Sequence, residues 1–299
     1  MSRRYQQKYA SLGGMDFSKM SKENLDDLFN QIIEKGLHGL SFSAYMEGQE
    51  PGDQLNEDHI RLRMEIIKPY TKWIRSFSTT EGNEFIPKIA KEMGIKTLVG
   101  AWIGTDEEKN EEEIQGLINL AKEGFVDIMA VGNEVLLRED LSEYKLIETI
   151  ERVKREVPGI PVAYVDAYYL FANHPKVADV SDIIMTNCYP FWEGYSIEHA
   201  FVYFKEMVQV AKEAAKGKPV IISETGWPDL GTPFEDSVPS YENALRYFIN
   251  IFTWAEKENM DVFYFSSFDE DWKSGPEGDV GASWGLWDKN GNLKYGGKK

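Results

Sequence analysis

Eight short apolar runs, a helix-compatible stretch after each of the first seven, and glycines at the helix-to-strand joints predict an α/β fold, a (β/α)8 TIM barrel. The runs are 37–45 (LHGLSFSAY), 73–78 (WIRSFS), 95–103 (IKTLVGAWI), 127–135 (DIMAVGNEV), 161–169 (PVAYVDAYY), 182–189 (DIIMTNCY), 219–224 (PVIISE) and 262–268 (VFYFSSF). Each is nearly unbroken and rich in Val, Ile and aromatics, as a parallel strand covered on both faces must be. Between them, a helix over 23–35 opens behind Ser21 as its cap and stops at Gly36. Another over 111–122 puts acids in its first turn and Lys in its last, matching the helix dipole. Stretches 196–216 and 241–258 space their apolar residues by three and four. Gly36, Gly94, Gly124, Gly159 and Gly217 stand where a left-handed cap is wanted. A doubly wound sheet is the alternative, but it would carry a glycine fingerprint after its first strand, and LHGLSFSAY has none. No linker and no 20–50-residue repeat interrupts the series. Residues 1–299 therefore read as a single catalytic domain, with 1–36 an N-terminal segment and leading helix and 37–299 the barrel.

The chain has 299 residues, 42% of them hydrophobic, enough to bury roughly 75% of the unfolded surface. Disorder, collagen and coiled coil are excluded by that composition. With 33 basic and 50 acidic residues the net charge is −17 and the pI near 4.8. Such a surface repels polyphosphate, so neither nucleic acid nor an anionic membrane is an expected partner, whereas a neutral substrate meets no penalty. The one cysteine, Cys188, allows no disulfide within the chain and reads as a buried small hydrophobe. The four histidines (His38, His59, His174, His199) lack metal-ligand spacing, so no metal and no cofactor are expected. No run of about 18 apolar residues offers a membrane span. The opening MSRRYQQK lacks the apolar core of a signal peptide. The chain is then cytoplasmic, or extracytoplasmic and written without its leader; the second is expected, as is a monomer. The acid cluster 106–113 reads as a solvated helix start.

In a barrel of this kind the site forms at the C-terminal ends of the strands. The fourth run ends Gly132-Asn133-Glu134, and the seventh continues Ser223-Glu224-Thr225-Gly226-Trp227-Pro228. Strands four and seven face each other across a barrel, so both carboxylates converge on one cleft. Two carboxylates across a cleft are the minimum machinery for splitting a glycosidic bond. A single strand-end glutamate serves equally well as a helix cap or an arginine partner. Two of them, each in a polar-aromatic setting, point to chemistry.

These segments also carry a resemblance. VGNEV at 131–135 and ISETGWP at 222–228 resemble the acid/base and nucleophile motifs of glycoside hydrolase family 17, which holds β-1,3-glucanases, plant lichenases and glucanosyltransferases. NCYPFW at 187–192, SFDEDWK at 267–273 and WGLWDKNG at 284–291 resemble its strand-six, strand-eight and closing segments, so the likeness spans the chain. It implies a retaining, endo-acting hydrolase of β-1,3-glucosidic bonds in laminarin-type glucans, working through a covalent glycosyl-enzyme intermediate. Glu134 would be the acid/base and Glu224 the nucleophile. At the 5–5.5 Å separation typical of retaining pairs, the charge on Glu224 is expected to raise the pKa of Glu134.

Supporting residues follow. Asn133 can bond the sugar 2-OH. Tyr189 and Arg75 resemble groups that orient the nucleophile, although Arg75 reads equally well as a barrel salt bridge. Glu270 and Lys273 match positions flanking the cleft. Plant members carry a further acid just before the WGL-like segment; Gly281-Ala282-Ser283 stands there instead. Trp102, Trp192, Trp227 and Trp272, with Tyr45, fall at or after strand ends, where a flat ring can stack on a pyranose face or simply pack. Trp73 and Trp254, away from the strand C-terminal ends, read as core or shell. The rival readings are a β-1,3-glucanosyltransferase, a β-1,3-1,4-glucanase and a non-catalytic glucan-binding barrel; a binder would need neither glutamate.

Overall fold

The computed structural model describes residues 14–297; the first thirteen residues of the expected N-terminal segment and the last two lie outside the described residues. Eight parallel strands close into a barrel in sequence order: β1 (Leu37–Ser41), β2 (Thr71–Ser76), β3 (Lys96–Ala101), β4 (Ile128–Asn133), β5 (Val162–Ala167), β6 (Ile183–Asn187), β7 (Val220–Thr225) and β8 (Val262–Tyr264). The helices are α1 (Lys22–Glu34), α2 (Glu57–Ile67), α3 (Phe85–Glu92), α4 (Glu107–Lys122), α5 (Glu143–Glu156), α6 (Leu170–Asn173), α7 (Pro175–Val180), α8 (Ile197–Ala215) and α9 (Tyr241–Glu258).

The predicted fold class is the observed one. Side chains alternate along each strand between two separate cores. Leu98, Ile128, Ala130, Val165, Met185, Ile221 and Phe263 fill the barrel interior. Val99, Met129, Val131 and Tyr164 face outward, against Leu117, Ile118, Leu146 and Ile150 of α4 and α5. A side chain at Gly39 would fall 2.4 Å from the Phe263 ring, so the bare backbone of β1 makes room for that ring. Trp73 packs on the interior layer and Trp254 against Phe204, both half-buried at the edge of a core. The five joint glycines all take positive φ, between 74° and 98°.

Most apolar runs overshoot their strands at the C-terminal end, because residues such as 42–45 and 134–135 leave the ladder and turn into the mouth. The α4 helix starts four residues before the expected position, since Asp106 Oδ1 accepts the N–H groups of Glu108 and Lys109 at 3.0 and 3.1 Å. Within that acid cluster Glu113 departs from expectation: it is 1% exposed rather than solvated, on the face of α4 turned to the loop after β2. After β8 the chain makes only 3-10 turns, Asp271–Ser274 and Asp279–Ser283. The helix missing from that seam is supplied by α1, which lies against α9 and packs Phe29 at a tilt on Phe248 and Tyr295.

Candidate active site

Both glutamates sit at interruptions of the ladder. Between Ala130 and Asn133, β4 spends three residues against two of β5 (Ala163 to Val165), a bulge centred on Gly132 at φ 83°. Between Ile222 and Glu224, β7 spends two residues against one of β6. Each bulge breaks the in-out alternation and turns the following polar side chains into the barrel mouth. There Asn133, Glu134 and Glu224 line a cleft of about 600 Å³.

Glu224 is 6% exposed and held from two sides. Arg75 Nη1 donates to its Oε1, and the Tyr189 hydroxyl donates to Oε2 at 2.7 Å. Those donors fix the carboxylate's orientation and match a negative charge. Burial, with the Glu224 charge added, holds the Tyr189 phenol well above its ordinary range, so it stays a donor. Arg75 also donates to the Ser223 carbonyl (3.1 Å) and to Asn133 Oδ1 (2.7 Å). The two readings of Arg75 coincide, because its barrel salt bridge is with Glu224.

Glu134 lies in a different setting. Its Oε1 accepts from Asn187 Nδ2 at 2.8 Å, and Asn187 Oδ1 accepts from Ser223 Oγ at 2.7 Å. Burial first, and the neighbouring Glu224 charge second, push Glu134 up to about 7. The direction is the expected one, but desolvation outranks the like charge that was expected to cause it. One carboxylate is thus paired with a cation while the other keeps its proton to near neutrality.

The other expected residues divide. Tyr45, Trp102, Trp272, Glu270 and Lys273 all line the cleft. Lys273 Nζ lies 2.5 Å from Glu270 Oε2 and 4.0 Å from the Phe265 ring centre, and the Trp272 indole N–H donates to Glu270 Oε1 at 3.0 Å. Trp102 is 40% exposed, with the Arg138 guanidinium 4.5 Å from its ring centre. Trp227 corrects its expectation: it is 1% exposed, packs on Phe191 and Tyr247, and gives its N–H to the Val238 carbonyl. It has no surface to offer a sugar. Trp192 is half-buried against Phe191, Phe234 and Trp284 and stands outside the cleft lining.

Three polar residues were missed. Asn187 ends β6 as Glu134 follows β4, so the strand-end rule that found the glutamates could have found it. Glu277 lines the cleft upstream of Trp284, where no acid was expected to serve. Burial, helped by the charges of Glu224 and Glu270 and opposed by Lys273, pushes it up to about 7. It lies in an irregular segment with no periodicity to place it. Glu113 accepts from Ser78, Thr79, Thr80 and the Trp102 N–H, tying the loop after β2 to the end of β3.

Residues 39–285 match the BtgE/BtgC glycoside hydrolase domain. A glucan 1,3-β-glucosidase of Schizosaccharomyces pombe is 30% identical over 276 residues, covering 86% of this chain and 85% of its own. One from Saccharomyces cerevisiae is 29% identical over 281 residues, covering 86% and 90%. The crystal structure of a glycoside hydrolase family 17 β-1,3-glucanosyltransferase from Rhizomucor miehei superposes with a TM-score of 0.79 at 31% identity, covering 89% of this chain and 98% of that one. An active-site mutant of the same protein has been solved with laminaritriose. On these matches, and on the two glutamate motifs, the chain belongs to the BtgE/BtgC glycoside hydrolases and shares the family 17 barrel.

Proposed function

We propose that this chain is a retaining, endo-acting β-1,3-glucanase of the laminarinase kind, with Glu224 as nucleophile and Glu134 as acid/base. The observation that carries the reading is the asymmetry of the pair: Glu224 is held by Arg75 and Tyr189, while Glu134 is pushed up to about 7 in the same cleft. Glu224 attacks the anomeric carbon as Glu134 protonates the leaving oxygen, and Glu134 then takes a proton from the incoming water. Asn133, whose Oδ1 is engaged by Arg75, keeps its amide N–H groups for the sugar 2-OH. Trp102, Trp272 and Tyr45 offer flat faces to the pyranose rings. Relatives named for glucan 1,3-β-glucosidase and glucanosyltransferase activity support the linkage. A polymer too large to cross a membrane would be met outside the cytoplasm, and that is where we infer the enzyme acts.

The Rhizomucor likeness favours a second reading, in which a sugar hydroxyl replaces water at the covalent intermediate. Timed chromatography of products from a laminari-oligosaccharide separates the two, because a transferase makes products longer than its substrate. Glu224→Ala should lose at least ~100-fold in kcat on laminarin. Since it leaves the buried Arg75 without its ion-pair partner, its melting temperature should also fall, so circular dichroism is read beside turnover to show the variant folded. Proton NMR in the opening minutes should show the β-anomer first; an α-anomer would mean inversion and refute the nucleophile assignment.

A further inference from the structure

Behind Glu134 lies a buried pair that this chemistry does not use. Tyr164 and Asp166 are two apart on β5, so both face the outer side of the barrel, beneath the turn that follows β4. Each is 0% exposed. The Tyr164 hydroxyl donates to Asp166 Oδ2, and Asp166 Oδ1 accepts the Ala167 N–H at 2.8 Å. Both groups also take the N–H of Leu136, Tyr164 Oη at 3.0 Å and Asp166 Oδ2 at 3.3 Å. A buried carboxylate is costly unless its acceptors are filled, and here each partner is a donor: the Tyr164 hydroxyl and the Ala167 N–H on β5 and, from the turn after β4, the Leu136 N–H.

That turn carries Glu134, two residues before Leu136. Its φ of 53° is left-handed, an uncommon conformation for a residue with a side chain, which Glu81, Glu139 and Glu235 of this chain also take. Its N–H donates to the Val165 carbonyl at 2.9 Å, and its carbonyl accepts from the Arg138 N–H at 2.9 Å. Arg138 Nη1 donates to the Asn133 carbonyl at 2.6 Å and the Asp140 N–H to the Val135 carbonyl at 3.0 Å, and the Leu136 N–H is the tie that runs from this turn to the side chains of β5. We propose that Asp166, assisted by Tyr164, is a positioning residue for Glu134: it holds the Leu136 N–H and so pins the left-handed turn that aims the Glu134 carboxyl into the cleft. The proposal rests on the reading of Glu134 as acid/base. Asp166 also presents a negative charge to Glu134 from β5. The other groups facing that carboxyl are Glu224 on β7, Asn187 on β6, Tyr189 after β6, Tyr169 after β5 and Arg138 beyond β4.

The test compares a laminari-oligosaccharide with a dinitrophenyl β-glucoside, whose leaving group needs little protonation, in full-length protein. Asp166→Asn keeps an acceptor and removes the charge. It should lower kcat on the oligosaccharide by ~10–100-fold, part of what general acid catalysis supplies, with KM within about twofold. On the aryl glucoside kcat/KM, which reports glycosylation alone, should fall less than about threefold, because kcat there also reports the deglycosylation that Glu134 serves as base, and the alkaline limb of kcat/KM should move to lower pH. Tyr164→Phe, which leaves the ring in place, should show the same selectivity more weakly and serves if the Asn variant does not fold. Equal losses on both substrates with an unmoved limb, or no loss at all, would overturn the proposal and leave Asp166 a fold residue. Glu134→Ala is run beside them. If it too damages both substrates equally, the acid/base reading has failed; if it is selective and Asp166→Asn is not, only the positioning role has.

Discussion

A carboxyl pushed up to about 7 is protonated at pH 5 and mostly charged at pH 8, so Glu134 can donate only on the acid side of neutrality. The free enzyme's kcat/KM should fall as pH rises through about 7, and Glu134→Gln should flatten that limb on an activated substrate; a profile level to pH 9 would contradict the acid role. The same shift has a stability sign. Because the folded pKa exceeds the ordinary 4.5, this group's contribution is full below about 4.5 and is lost as pH rises through about 7. Glu134→Gln should therefore raise the melting temperature at pH 8 but not at pH 5, by an amount worth about 1–3 kcal/mol. The tryptophans make a second contrast. Trp227→Ala should cost about 3–5 kcal/mol of stability, whereas Trp102→Ala should raise KM with little change in melting temperature. Both residues stand just beyond a strand end, and the sequence could not tell them apart. Once the chain leaves the ladder, the period of two no longer says which way a ring points.

Elements set the aim of these groups. Read with strict alternation, the run 127–135 puts Asn133 on the same outer face as Met129 and Val131; the bulge at Gly132 reverses that. Only that glycine hinted at it. A side chain there would come within 2.6 Å of Val135 Cγ2 at a φ of 83°, so Gly132→Ala is expected to cut kcat severely for a stability loss of only about 1–2 kcal/mol. Circular dichroism and turnover on the same preparation would check the dissociation. Glu113 works between elements, its carboxylate tying the loop after β2 to the Trp102 backbone. Glu113→Ala leaves those donors buried and unfilled and should cost about 2–4 kcal/mol, with faster hydrogen exchange at the Thr79 and Trp102 amides. Its burial was not legible because a helix opening on five acids looks solvated on every face.

For the whole molecule, three partly buried acids are raised toward neutrality, Asp269 to about 6 and Glu134 and Glu277 to about 7, and burial raises the fully buried Asp166 as well. All three act with one sign, so the melting temperature should decline between pH 5 and pH 8; a rise across that window would contradict their burial. The strand order and the two catalytic candidates were legible because eight two-sided strands write themselves as apolar runs, and barrel geometry then says which ends matter. Glu277's place on the cleft wall was not, since the segment holding it follows no period. Nor was the identity of the eighth helix, which comes from the opposite end of the chain.

That last arrangement bears on synthesis. A ribosome releases α1 first and β8 last, and β1 stays without its β8 partner until nearly the whole chain is out. Asn30 Nδ2 finds the Gly296 carbonyl, and Asp26 Oδ1 the Gly296 N–H, only once residue 296 has emerged. Through most of translation the nascent sheet has two open edges flanked by apolar residues, a template for wrong pairing. The barrel is most exposed to aggregation just before β8 emerges, and helpers that shield strand edges at that moment should decide its yield.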